Sequence, residues 1–187
     1  MKKLLILAAA GGILLSSSVY AGEAKKMAKE KKVLVVYYSK TGHTERVAKD
    51  VAASMNADIE KIIDKKNRNG FFAFFTSGRD AMKKRTTDIE PLKKNPAEYG
   101  LVVIGTPVWA WNITPAIRTY LLMSKDKLKN TAYIITSGGT PAEKIVPFCE
   151  EVTGKKPVAF AGFTEKEMKN DSVYKEKLSK FIEELKK

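Results

Sequence analysis

The sequence predicts an α/β fold, a five-stranded parallel sheet covered by helices on both faces in a three-layer sandwich. Two observations carry this reading. Strand-like and helix-like segments alternate from Lys32 to the C-terminus. The first and third strand-like runs are apolar throughout instead of alternating with polar residues, which is the pattern of strands buried on both faces.

The elements follow in order. Val33 to Tyr38 (VLVVYY) is β-branched and aromatic and reads as the first strand. Val47, Ala48, Val51, Ala52 and Met55 recur at helical spacing and mark the inner face of a helix. Ala57 to Ile63 reads as the second strand and Leu101 to Gly105 (LVVIG) as the third. Thr114-Pro115 opens a helix, with Thr as the cap and Pro in the first turn, and Ile117, Leu121 and Leu122 give it an apolar face. Ala132 to Thr136 (AYIIT) is the fourth strand. Thr140-Pro141-Ala142-Glu143 has the form of a capping box, followed by a helix whose inner face is Ile145, Phe148, Cys149 and Val152. Val158 to Phe163 is the fifth strand, and Tyr174, Leu178, Phe181, Ile182 and Leu185 mark the closing helix. Right-handed crossovers would place the helices on both faces. The stretch from Asp64 to Tyr99 reads as irregular and is long for one crossover. It holds Phe71-Phe72-Ala73-Phe74-Phe75, which suits local packing or a lid over a ligand, and a basic run at Lys83-Lys84-Arg85.

Composition narrows the function classes. The chain has 187 residues, one His, one Cys and a formal net charge of +13. A hydrophobic fraction of 44% is too high for a disordered chain. The lone Cys149 permits no internal disulfide and no thiolate-based zinc site, and the lone His43 no multi-histidine metal centre. Met1-Lys2-Lys3, the apolar run from Leu4 to Leu15 and the small residues before Gly22 have the layout of an export signal, residues 1–21, cleaved after Ala21. The alternative is an uncleaved anchor, although the apolar run is shorter than the ~20 residues a spanning helix needs. Cleavage would release the chain to the periplasm or the exterior. Residues 22–31 form a basic linker, leaving 32–187 as one domain. The surplus charge suggests an acidic partner, and the basic arm suggests contact with a membrane surface.

In an open parallel sheet, ligands bind beyond the carboxyl ends of the strands. After the first strand come Ser39-Lys40-Thr41-Gly42-His43-Thr44, whose hydroxyls and amides at a helix start could cradle a phosphate. Neither a dinucleotide fingerprint nor a Walker loop is present. After the third strand come Pro107-Val108-Trp109-Ala110-Trp111-Asn112, where two Trp could sandwich a flat aromatic ligand. After the fourth come Ser137-Gly138-Gly139, whose backbone donors suit a polar ring edge. Together the loops suit a phosphorylated flat heterocycle.

The stretch Val35 to Thr44, continuing to Ala48 and Val51, resembles the flavodoxin signature. Gly105 to Leu121 and Ser137 to Lys144 are similar to that family's second and third ligand loops. The resemblance covers Lys32 to the C-terminus. It implies a flavodoxin-like fold with strand order 2-1-3-4-5, noncovalent FMN and redox work. It implies that Ser39, Thr41 and Thr44 hold the phosphate through hydroxyls, helped by the amides from Lys40 to Thr44. Trp109 and Trp111 would flank the ring system, and Asn112 with the backbone of Ser137, Gly138 and Gly139 would bond its polar edge. Four departures stand out: no Gly lies between Pro107 and Pro115, the chain is basic, it carries an expected export signal where the family usually works in the cytoplasm, and the Asp64–Tyr99 segment is long.

The expected role is an electron-transfer flavoprotein, with an acidic redox partner protein or a quinone-like acceptor. The alternative is an FMN-dependent NAD(P)H:quinone-type reductase. A non-redox anion-binding module would rest on charge alone, and export with no recognised motif argues against nucleic acid. A hydrolase would need a nucleophile–His–acid set that the sequence does not display. No residue is designated catalytic.

Overall fold

The computed structural model describes residues 32–187; the expected export signal and basic linker, residues 1–31, lie outside the described residues. Five strands form a parallel sheet: β1 (Val33–Tyr37), β2 (Asp58–Lys61), β3 (Leu101–Trp109), β5 (Asn130–Ser137) and β6 (Ala159–Thr164). Their spatial order is β2-β1-β3-β5-β6, which is the expected 2-1-3-4-5 counted over the parallel strands. One strand was not expected. β4 (Asn112–Ile113) turns back antiparallel on the end of β3, pairing Trp109 with Asn112 and Val108 with Ile113.

The sheet is buried on both faces because successive side chains point to opposite sides. Leu34, Val36, Val102, Ile104, Tyr133 and Ile135 pack against α3 (Pro115–Ser124) and α4 (Val146–Thr153). Val33, Val35, Tyr37, Val103, Ala132 and Ile134 pack against α1 (His43–Met55) and α6 (Asp171–Leu185), with the short α5 (Glu165–Lys169) contributing Met168. Cys149 sits fully in the first layer as a core residue, and burial pushes its thiol up to about 12. Among the described residues, no helix is long and apolar enough to cross a membrane.

Local details correct two expectations and add an unexpected cap. The Asp64–Tyr99 segment is not simply irregular. It contains α2 (Phe71–Met82) and a 3₁₀ turn at Pro96–Glu98. Its two ends are pinned together by an Asp64–Ile89 bridge, with Lys65 N–H donating to Asp88 O and Glu90 N–H to Ile63 O. The Thr140 capping box does not form. The chain first makes a 3₁₀ turn at Ala142–Lys144, capped by Pro141 without a side-chain bond, and α4 starts only at Val146. Ser137 Oγ donates to the Thr140 carbonyl instead. The box that does form is at Thr164 and Glu167, where each side chain bonds the other residue's backbone N–H and starts α5.

Candidate functional site

The carboxyl ends of β1, β3 and β5 open into one cavity of about 630 Å3. Its wall includes Lys40, Thr41 and His43 from the loop after β1. Pro107, Val108, Trp109, Ala110 and Trp111 come from the β3–β4 hairpin, and Thr136, Ser137 and Gly138 from the end of β5. Three loops far apart in sequence therefore meet as the sequence expected.

The first loop is shaped for close approach to backbone. Ser39 Oγ accepts from Gly42 N–H at 3.1 Å, which curls the loop, and Gly42 caps α1 at φ 93°. Nothing lies within 4 Å of where a Gly42 Cβ would stand. No side chain caps α1. Its first-turn amides have no intrahelical acceptor, and they carry the positive end of the helix dipole. The Lys40 ammonium is fixed beside them by donating to the Arg68 carbonyl. The start of α1 can lie against the sheet because β3 offers Gly105 there. A Cβ at Gly105 would meet Thr44 Cγ2 at 3.0 Å and Tyr37 Cβ at 3.1 Å.

Thr44 departs from its expected role. It is 1% exposed, is absent from the cavity wall, and shares a 2.7 Å hydroxyl–hydroxyl bond with Thr136 beneath the loop. Asn112 departs as well. It is buried, and its Oδ1 accepts from Ile113 N–H at 2.8 Å and from Arg118 Nη2 at 3.1 Å. Both expected ligand contacts are thus engaged in holding the frame. Ser39 and Gly139 also lie off the cavity wall.

The hairpin carries the aromatic wall. Trp109 meets Tyr38 edge to face, with centroids 5.5 Å apart and planes at 84°, and the Arg68 guanidinium lies 5.9 Å from its ring centroid. Trp111 is 73% exposed and stands at the mouth. Ala110 and Trp111 both have positive φ, 45° and 58°. A two-residue turn with that geometry is a type I′ hairpin turn, which normally takes Asn-Gly or Gly-Gly. Its strain sits at the cavity wall.

The fourth wall was foreshadowed only by the Phe71–Phe75 run, one of whose two readings is a lid over a ligand. Phe75, Ser77, Gly78, Arg79 and Met82 of α2 line the cavity, with Glu165 from α5. Ser77 Oγ is buried there with no hydrogen-bond partner among the described residues. A signal was available: Ala73, Ser77 and Ala81 form a small-residue stripe at helical spacing, with Asp80 beside it. The segment is anchored by Arg68, which bonds Asp64 Oδ2 at 2.8 Å and Asp80 Oδ2 at 2.9 Å. Lys66 and Arg85 also bond Asp80, and Thr87 bonds Asp64. Burial pushes the Asp80 carboxyl up, but the bonds from Lys66 and Arg68 override it and hold it at about 2. His43 Nδ1 stands 4.0 Å from Glu165 Oε1 at the rim. Among the described residues, no three His, Cys, Asp or Glu side chains cluster to hold a metal ion.

Comparison with known proteins agrees with this fold. A family model described as flavodoxin matches residues 32–185. A flavoprotein from Lactobacillus acidophilus NCFM, solved in complex with FMN, is similar at 21% identity over 78% of this chain and 97% of that one, with a TM-score of 0.62. A flavoprotein from Bacteroides eggerthii is similar at 23% identity over 77% and 94%, with a TM-score of 0.63. A flavodoxin from the domain Archaea is similar at 14% identity over 81% and 94%, with a TM-score of 0.50. None of the curated proteins compared matches the chain.

Proposed function

The chain belongs to the flavodoxin family, and on that premise we propose that it is an electron-transfer flavoprotein holding FMN noncovalently in the cavity. The observation that carries this reading is the union, in one cavity, of an uncapped helix start beside Lys40 with an indole wall from the β3–β4 hairpin. A phosphate suits the first and a flat ring the second.

The residues present fit the group. Thr41 and the loop amides offer donors to a phosphate, and Gly42 keeps that side open. Trp109, held by Tyr38 and Arg68, presents a fixed wall and keeps water from one side of the ring site. Ser137 and Gly138 stand where a polar ring edge would need partners. Bound FMN would supply the reversible uptake of electrons, which no protein side chain here provides. The protein's part is to bind, orient and shield.

One observation favours a second reading. Phe75, Arg79 and Met82 give the cavity a further wall from α2. A carrier that passes electrons through an exposed ring edge has no need of such a wall, whereas a reductase of small quinone-like acceptors needs a compartment beside the ring. Purified protein soaked in FMN and desalted should retain flavin absorbance, and a colourless protein would refute the cofactor reading. NADH or NADPH with a quinone then separates the two roles, since only a reductase turns over without a partner protein.

We also place the protein outside the cytoplasm, on the charged, apolar and small-residue order of residues 1–21. N-terminal sequencing of the protein from cells should begin at Gly22; a chain beginning at Met1 in the cytoplasm would refute this.

A further inference from the structure

The end of the molecule opposite the cavity concentrates positive charge. Because the five strands are parallel, their starts lie together, as the register Val33–Leu101–Asn130 and Ala132–Ala159 shows. Two loops that feed this end are rich in lysine: Lys125, Lys127 and Lys129 before β5, and Lys155 and Lys156 before β6, with Asp126 as the one acid among them. The loops are strapped together by Lys155, whose ammonium donates to the carbonyls of Lys125 and Leu128. Lys125, Lys127, Lys129 and Lys156 are exposed and form no ion pair among the described residues. Exposed apolar side chains flank them: Met123 and Leu122 at the end of α3, and Val158 ahead of β6.

The chain's first described residue, Lys32, lies at this same end, where its carbonyl accepts from Gly100 N–H. The basic arm that cleavage leaves, from Gly22 to Lys31, therefore joins the domain at this end.

We propose that this strand-start end is a docking surface for an anionic lipid bilayer, which leaves the cavity facing away from the membrane. The chemistry favours lipid over a protein partner. Protein interfaces draw on Trp, Tyr and Arg and are depleted in Lys. These loops present Lys with short aliphatic side chains, the combination that settles among headgroups while the ammonium groups stay at phosphate level. The proposal does not depend on what the cavity binds.

The chain carries its own ruler for the test. Its two Trp residues, Trp109 and Trp111, are both at the cavity. Trp109 ends the nine-residue β3 that starts at the basic end. At about 3.3 Å per residue, that strand holds the indoles about 26 Å from the docking surface. The mature chain beginning at Gly22, without added cofactor, is mixed with vesicles of phosphatidylglycerol and phosphatidylcholine or of phosphatidylcholine alone. The expected result is binding to the anionic vesicles only, lost at about 0.5 M salt. Brominated lipid should leave the Trp fluorescence almost unquenched.

Lys127→Gln, Lys129→Gln and Lys156→Gln together should weaken binding by about 100-fold, at about fivefold per lysine. Lys166→Gln, Lys169→Gln and Lys175→Gln, the same charge change on exposed sites of α5 and α6, should weaken it only a few-fold. Equal loss in both triples would overturn the proposal, because net charge alone would then act. Full retention in the first triple would overturn it in favour of the arm, and strong Trp quenching would overturn the orientation. Retention on immobilised polyglutamate without vesicle binding would overturn it in favour of an acidic protein.

Discussion

Replacing Ala110 by Gly should stabilise the protein while weakening its ligand. Ala110 (φ 45°) and Trp111 (φ 58°) are the two central residues of the β3–β4 turn. A side chain in the left-handed region costs about 1–2 kcal/mol. Gly removes that cost but adds about 0.4–1 kcal/mol of unfolded-state entropy. Ala110 Cβ faces Gly78 of α2, where a methyl on Gly78 would stand 3.6 Å away, so little packing is lost with it. The net gain is about 0.5–1 kcal/mol, and Tm should rise by about 1–4 °C. Gly42→Ala is the mirror experiment. Its φ is 93° and its surroundings are open, so about 1–2 kcal/mol of backbone strain is added against the same entropy term of about 0.4–1 kcal/mol, and stability should fall by about 0.5–1 kcal/mol. Urea melts of the cofactor-free protein measure both changes, and FMN titration of the Ala110 variant should show a few-fold weaker affinity because the wall is looser. A Tm lowered by Ala110→Gly would refute the reasoning, since the turn would then be held by a contact stronger than its strain.

The remaining tests probe the frame. Thr44→Val should cost about 1–3 kcal/mol, because Thr136 Oγ1 loses its 2.7 Å partner in a buried site. Its FMN affinity should stay within a few-fold, whereas a collapse in affinity would restore Thr44 to the ligand. Arg68→Met should cost about 3–5 kcal/mol by leaving Asp64 buried without a counter-charge, while Asp80 keeps Lys66 and Arg85; adding Asp64→Asn should recover part of that loss in urea melts. Gly162→Ala should destabilise by about 1–3 kcal/mol, since its Cβ would meet Ala142 Cβ at 2.9 Å. Acid should act through three carboxyls. Asp80 is held at about 2 as described; Asp58 is held at about 2 by Tyr99 and Lys32, and Glu45 at about 2 by Lys49 and Lys61. Groups lowered in the folded state stabilise it above their ordinary values of 3.8 and 4.5 and lose that contribution as pH falls through about 2. The urea midpoint should therefore be flat above about pH 5 and fall between about pH 4.5 and 2; a midpoint that rises on acidification would contradict the sign.

The parallel strands were legible because burial on both faces forces an unbroken apolar run, as in Val33–Tyr37. The helices were legible where one face packs on the sheet, as at Val47, Ala48 and Val51. The missed capping box at Thr164 has the right residues, but it starts a helix of five residues, too short to show a period. Individual hydroxyls were less legible than the loops that hold them. Thr41 lies in the loop before the Gly42 cap and lines the cavity, whereas Thr44 is in the first turn of α1, on the face that Val47, Ala48 and Val51 pack on the sheet. A motif read as a string does not show where the loop ends and the helix face begins. Asn112 was misplaced for a related reason: the β4 hairpin folds it inward, and no Gly announces the turn.

The least legible part, the segment from Asp64 to Ile89, contributes most to the shape of the cavity beyond a bare sheet edge. Nothing in the sequence pattern singles out Arg68 and Asp64, yet their side chains and that of Asp80 are buried together and tie the segment into a node. That node reaches the ligand site twice, through the Arg68 guanidinium at the Trp109 ring and through the Arg68 carbonyl that fixes Lys40. The ring wall and the cation of the first loop are thus set by one buried arginine that belongs to neither loop. In a sheet of this kind the strands decide where a ligand binds, while the insertion decides how tightly its walls are held and leaves α2 to close the side that a plain carrier would keep open.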